Sequence, residues 1–231
     1  MKAILLAAGL GTRLRPYTDN KPKCLIDIGG TPLILIWLRS LLKSGFSEIL
    51  VNTHYLSEQV VECIRRSSYM KYVTFAHEPA LLGTAATLIK NVHFLGDEDC
   101  LLIHADNFME SDLDSFLNAN SSRPDYCLMS MLTFRTDNPK SCGVVEIDSD
   151  NVVRKFYEKV DNDHGNLANA AVYALSNQLA KSLLHERDFS RDVIPDLLGK
   201  IYSVETDGYF VDIGTPESLR RAREFAESMQ N

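Results

Sequence analysis

The sequence predicts an α/β protein whose mostly parallel sheet is covered on both faces. Three observations carry that expectation. Apolar, β-rich runs alternate with helix-like segments from the first residues to about Asn138. The longest apolar runs read as fully buried strands and fall well short of the ~20 residues of a membrane span. A length of 231 residues, with 45% hydrophobic and 24% charged residues, is ample for one large α/β domain with a proper core.

Taken in order, Ala3–Ala8 reads as the first buried strand. Its single preceding lysine resembles the start of a secretory leader, but the run is short and passes straight into Gly-Leu-Gly-Thr-Arg. Thr31 is the expected N-cap and Pro32 the first position of a helix over Pro32–Lys43, with Gly45 just past its end. Further strands are expected at Glu48–Thr53, Tyr72–Ala76, Cys100–His104 and Tyr126–Phe134, and helices at Leu56–Arg66, Thr84–Asn91 and Leu113–Asn120.

After about Asn138 the pattern changes. Gly143–Lys159 alternates apolar and polar residues around Ser-Asp-Asn, which predicts a hairpin. A strand over Ala168–Leu175 follows, then short helices over Asn177–His185 and Asp192–Leu198 and a last strand over Gly208–Ile213. Thr215, Pro216 and Glu217 open a terminal helix reaching Ser228. With no linker, low-complexity segment or internal repeat, residues 1–231 are expected to form a single domain with a doubly wound core and a β-rich insertion.

Composition narrows the chemistry. Five scattered cysteines without a CxxC pair point to reduced thiols and a cytoplasmic protein, not to a zinc or disulfide framework. A net charge of −7 disfavours nucleic acid as a partner. Against that acidic background the stretch LLAAGLGTRLRPYTDNKPKCL is locally basic. A glycine turn after a strand exposes backbone N–H groups to phosphate. Two familiar forms of such a turn do not fit: GxxxxGK[ST] is absent, and Leu14 stands at the third glycine of GxGxxG. Pro16 and Pro22 also forbid one uninterrupted helix. What remains is a long loop carrying Thr12, Arg13, Arg15, Lys21 and Lys23, more cation than one pyrophosphate needs and suited to a triphosphate.

That stretch resembles the signature of the sugar-1-phosphate nucleotidyltransferases. The likeness extends through EPALLGTAATL, LLIHADN, CGVVEID, FYEK, ANAAVY and YFVDIGTPESL in the family's order. It implies a Rossmann-like α/β/α sandwich with a mixed, mostly parallel sheet, a β-rich sugar-side insertion and no C-terminal β-helix. The implied reaction joins a nucleoside triphosphate to a sugar 1-phosphate and releases pyrophosphate. Arg13 and Lys23 would contact the triphosphate, and Asp106 and Asp212, each at a strand's carboxyl end, would hold Mg²⁺. Leu6, Ala8, Gly9, Gly11, Thr12, Gly83 and Thr84 would surround the nucleotide. Gly143, Glu158, Lys159 and Asn169 would bind the sugar phosphate.

The LGTA segment and the ending DGYFVDIGTPESL resemble short guanylyltransferases for mannose or heptose 1-phosphate, whereas HFLGDEDCLLIHADN resembles thymidylyltransferases, and the length also suits uridylyltransferases. A cytidylyltransferase on a non-sugar phosphate and a non-catalytic sensor stay open as alternatives. Monomer or homodimer is expected, with no nucleic-acid or membrane partner. Ala86, Ala105 and Ala171 stand where glycine is usual, and Cys24 where proline or glutamine is. The pairs Asp97/Asp99, Asp112/Asp114, Asp148/Asp150 and Asp161/Asp163 are expected in solvated loops, His54 as a structural histidine and Trp37 in the core.

Overall fold

In the computed structural model of the protein, residues 1–159 and 164–229 are described, so the pair Asp161/Asp163 lies outside them. The first strands are β1 (Lys2–Leu6), β2 (Asp27–Ile28), β3 (Thr31–Pro32), β4 (Ile49–Thr53), β5 (Val73–His77), β6 (Cys100–His104) and β7 (Asn107–Glu110). The later ones are β8 (Met129–Arg135), β9 (Gly143–Ile147), β10 (Val153–Glu158), β11 (Leu167–Leu175), β12 (Ile201–Glu205) and β13 (Tyr209–Asp212). The helices are α1 (Leu33–Lys43), α2 (Ser57–Arg65), α3 (Thr84–Lys90), α4 (Leu113–Ser121), α5 (Asn177–Ser182), α6 (Ile194–Asp196) and α7 (Pro216–Ser228). No helix among the described residues is long and apolar enough to cross a membrane. The α/β class is the one the alternation predicts. The chain divides into two compact units.

The N-terminal unit comprises Ala3–Leu81, His104–Glu110 and Tyr209–Asn231. Here β1, β4 and β5 run parallel, with Leu5 beside Val51 and Val51 beside Phe75. Both β1 and β4 are buried almost throughout, which is why Ala3–Leu6 and Ile49–Val51 are continuously apolar and not alternating. α1 buries Leu33, Ile34, Trp37, Leu38 and Leu41. Each such side chain contributes roughly 1.5–3 kcal/mol by leaving water.

Thr31 does not cap α1. It pairs with Ile28 in a two-residue hairpin, so its backbone is already engaged, and Pro32 precedes the first helical residue. Thr215 does cap α7: its hydroxyl accepts from Ser218 N, and Ser218 Oγ accepts from Thr215 N. β7 was not anticipated, because four residues are too few to show a period. It pairs antiparallel with β13, setting Asn107 beside Asp212 and Glu110 beside Tyr209.

The central unit comprises Met1–Lys2, Leu82–Ile103 and Ser111–Gly208. Here β11 pairs antiparallel with β6, β8 and β9, and β12 runs parallel to β8. β12 was also missed, since Ile-Tyr-Ser-Val-Glu contains no apolar run. The expected hairpin forms between β9 and β10, its turn closed by Asp148 accepting from Asp150 N and Val152 N. The helix expected over Asp192–Leu198 is instead a π-helical turn, Phe189–Val193, followed by one α-turn holding Pro195.

Along β11 the pairing shifts register between Asn169 and Tyr173, and Ala171 in that bulge has φ 53°. A Cβ in the left-handed region is strained by about 1 kcal/mol, the position where the resemblance expects glycine. Ala171→Gly is therefore expected to stabilise the protein by about 1 kcal/mol. A thermal melt should rise by about 2–4 °C, and an unchanged or lowered midpoint would refute the strain.

Candidate active site

The chain leaves β1 at Leu6 and does not re-enter a strand until Asp27, turning through two short 3₁₀ turns at Thr12–Leu14 and Lys23–Leu25. Leu14 is fully buried and anchors the loop. Gly11 has φ 65°, and a Cβ there would lie 2.9 Å from Thr18 Cγ2 and 3.2 Å from Lys23 Cβ. The loop thus folds back so that Lys23 packs directly against the glycine bend. Thr18 Oγ1 fixes the bend by donating to Gly11 O at 2.7 Å. Gly9 has open space where its side chain would be, Ala8 is buried beside it, and Arg13 is 60% exposed.

Asp106 sits in the turn between β6 and β7. Ala105 N donates to Leu6 O at 3.1 Å, and Trp37 Nε1 donates to Asn107 O at 2.8 Å, so the residues on either side of Asp106 are both tethered. Because Asn107 faces Asp212 in the β7–β13 ladder, the register itself brings Asp106 next to Asp212. Lys23 Nζ donates to Asp106 Oδ2 and to Asp212 Oδ1, each at 2.9 Å. Arg13 Nη2 lies 3.6 Å from Asp212 Oδ2. The Lys23 side chain is 6% exposed, against 40% and 38% for the two carboxylates. The cation lies beneath and the acids open outward.

Burial acts most strongly on Lys23 and favours its neutral form, yet attraction and hydrogen bonds from Asp106 and Asp212 together raise its pKa above the ordinary lysine value. Burial likewise pushes the Asp106 carboxyl up, but Lys23 and then His104 hold it below the ordinary aspartate value. The charged forms of both partners are thus the favoured ones. Next in the chain, burial pushes the Cys24 thiol up to about 12, so no thiolate stands beside Lys23.

The donor chemistry fits a divalent ion. Two part-exposed carboxylates converging on one point are what Mg²⁺ takes when phosphates and water complete its shell. No cluster of three or more His, Cys, Asp or Glu that could hold a metal occurs among the described residues, so an ion held by these two carboxylates would need phosphate oxygens and water to complete its shell.

The other expected ligand-binding residues belong to the central unit. Gly83 precedes α3 with φ 104°, and a Cβ there would collide with the Arg187 carbonyl oxygen. That oxygen accepts from Ala85 N at 3.0 Å and so occupies the start of α3. Thr84 is the first residue of α3. Its hydroxyl accepts from Phe189 N at 2.7 Å. Gly143 opens β9 opposite Glu158 in β10, and Glu158 pairs with Lys159 at 3.1 Å. Asn169 donates to the Tyr173 hydroxyl at 2.7 Å and accepts from Ala171 N at 2.8 Å.

His54 and the described aspartate pairs take structural roles. His54 Nδ1 lies 2.7 Å from Glu78 O, Asp99 accepts from Asn177 N, and Asp112 caps α4. The sequence reading missed Asn52 and Glu78, buried polar side chains at the carboxyl ends of β4 and β5. The signal was there: Asn52 interrupts the apolar run ILV. It also read Trp37 as packing alone, without its bond to Asn107.

Replacing Lys23 with Met leaves two carboxylates facing each other with no ammonium between them. Stability should fall by about 1–3 kcal/mol. Millimolar Mg²⁺ should raise the melting temperature of Lys23→Met more than that of the wild type, which scanning fluorimetry would read directly.

Comparison with known proteins bears on the family and the fold. The sequence profile described as "Nucleotidyl transferase" matches residues 2–229. A mannose-1-phosphate guanyltransferase from Debaryomyces hansenii is 28% identical over 95% of this chain. The bifunctional protein GlmU from Methanocaldococcus jannaschii is 29% identical over 97% of it. The chain spans only 62% and 54% of the lengths of these two relatives. Among solved structures, HddC from Yersinia pseudotuberculosis complexed with GMP-PN is 26% identical at a TM-score of 0.82, with 97% of this chain and 98% of that one covered. A Bacillus anthracis protein crystallised with a sucrose shares the fold at a TM-score of 0.86 and 24% identity, over 98% of this chain and 95% of that one. The chain therefore belongs to the nucleotidyl transferase family.

Proposed function

We propose that this chain transfers a nucleotidyl group from a nucleoside triphosphate, GTP by preference, to a mannose- or heptose-type sugar 1-phosphate. The products are a nucleotide sugar for cell-surface polysaccharide synthesis and pyrophosphate. The observation that carries this reading is the shared contact of Lys23 with Asp106 and Asp212, packed against the Gly11 bend. Guanine and mannose draw support from the guanyltransferase relatives and from the structural likeness to HddC complexed with GMP-PN.

In this mechanism a sugar-phosphate oxygen attacks the α-phosphorus in line, and the bond to the bridging oxygen of the β-phosphate breaks. The attacking phosphate is already ionised near neutral pH, so no general base is needed. The difficulty is bringing two anions together. Arg13, exposed at the rim, and Lys23, beneath the carboxylates, counter the charge that gathers on the departing pyrophosphate. Backbone N–H groups of Gly9, Gly11 and Thr12 cradle the phosphates, with Leu6 and Ala8 setting the floor of the loop. Asp106 and Asp212 would hold Mg²⁺, which supplies charge neutralisation between the reacting phosphates. In the central unit, Gly83 and Thr84 serve the base, and Gly143, Glu158, Lys159 and Asn169 serve the sugar phosphate. The protein works as a cytoplasmic monomer or homodimer.

Incubation with each NTP, Mg²⁺ and a panel of sugar 1-phosphates should release pyrophosphate fastest with GTP and mannose or heptose 1-phosphate. Turnover with UTP or dTTP but not GTP would overturn the base assignment, and no pyrophosphate with any pair would favour a sensor. Asp106→Asn and Asp212→Asn should each lower kcat/KM by at least about 100-fold while the folded far-UV spectrum is kept. Near-normal turnover by either variant would remove that residue from the metal site.

A further inference from the structure

The carboxyl ends of β1, β4 and β5 meet in a buried polar knot. Ala7, the first residue past β1, donates its N–H to Asn52 Oδ1 at 2.6 Å. Asn52 Nδ2 donates to Glu78 Oε1 at 2.9 Å. Asn52 is 3% exposed and Glu78 1%. Glu78 is itself pinned by its backbone, N donating to Thr53 O at 2.8 Å and O lying 2.7 Å from His54 Nδ1.

An amide side chain has one accepting end and one donating end. The Ala7 N–H can only donate, so it claims Oδ1, and the Glu78 carboxyl oxygen takes the other end. The two partners agree on one orientation of Asn52. A buried backbone N–H would otherwise be left unsatisfied where the loop departs, and that cost would be met by moving the loop.

We propose that Asn52, oriented by Glu78, is a positioning residue for the glycine loop. It fixes the chain at Ala7, two residues before Gly9, so that the N–H groups of Gly9, Gly11 and Thr12 keep the spacing a triphosphate requires. This rests on the triphosphate reading above. Asn52 touches no reacting atom. It acts through the backbone it holds.

Inorganic tripolyphosphate with Mg²⁺ is the probe, titrated calorimetrically into the full chain, because it reports on the loop whichever base the site accepts. Asn52→Leu should weaken its binding about tenfold, with an unchanged far-UV spectrum. Asn52→Asp alone sets two carboxyl groups face to face and should weaken binding similarly. Combining Asn52→Asp with Glu78→Gln reverses the polarity of the pair. The new carboxylate then accepts from both Ala7 N and the new amide, and binding should recover to within about threefold of wild type. In steady-state kinetics with GTP the single-variant loss should fall on KM and leave kcat nearly unchanged. Wild-type affinity in Asn52→Leu, or a double variant no better than Asn52→Asp, would overturn the proposal. A wild-type protein that binds neither tripolyphosphate nor GTP would overturn the triphosphate reading along with it.

Discussion

One buried ammonium serving two outward-facing carboxylates is the constraint on which the candidate site depends. Lys23 is 5% exposed, and a cation so enclosed is tolerable only when its donors are matched. Asp106 and Asp212 are separated by more than a hundred residues of chain, yet they reach the same nitrogen. Everything near them serves that convergence. The Gly11 bend admits Lys23, the β7–β13 register aligns the acids, and the Trp37 indole holds the backbone between them. The acids keep about 40% of their side-chain surface open, and that is the surface the proposed divalent ion would use.

The N-terminal unit separates rigid from adaptable parts. Its parallel strands and α1 are buried and apolar, whereas the loop leaving β1 carries exposed cations, Arg13 and Arg15 among them. Such charges near a buried frame suit a ligand whose charge changes during reaction, because the frame sets positions and the exposed groups follow the charge. The Asn52–Glu78 pair lies between these layers, tying the first loop residue to the frame.

Much of this was legible in the sequence, for identifiable reasons. Strands β1, β4 and β6 announced themselves through runs of three or more apolar residues, and the α7 cap as Thr-Pro-Glu before a helical pattern. Arg13, Lys23, Asp106 and Asp212 came from the family resemblance, since an aspartate after an apolar run is by itself more often a cap or turn residue, and the structure brings these four together. β7 and β12 escaped, since neither carries an apolar run and pairing defines them more than pattern does. Thr31 misled because it looks like a helix cap, whereas its backbone closes the short β2–β3 hairpin against Ile28. Asn52 was visible as a polar break in a strand, but its partner Glu78 lies in the next crossover, and no local pattern joins them.

The contact between Gly83 and the Arg187 carbonyl has a consequence for how such a chain can diverge. Any side chain at position 83 needs the space that carbonyl fills, and moving the carbonyl uncaps α3 and frees the Phe189 amide from Thr84. Every residue at position 187 carries that carbonyl, so the constraint falls on position 83 alone. Homologous sequences that keep this turn are expected to hold glycine there whatever residue supplies the oxygen, without any ligand being known.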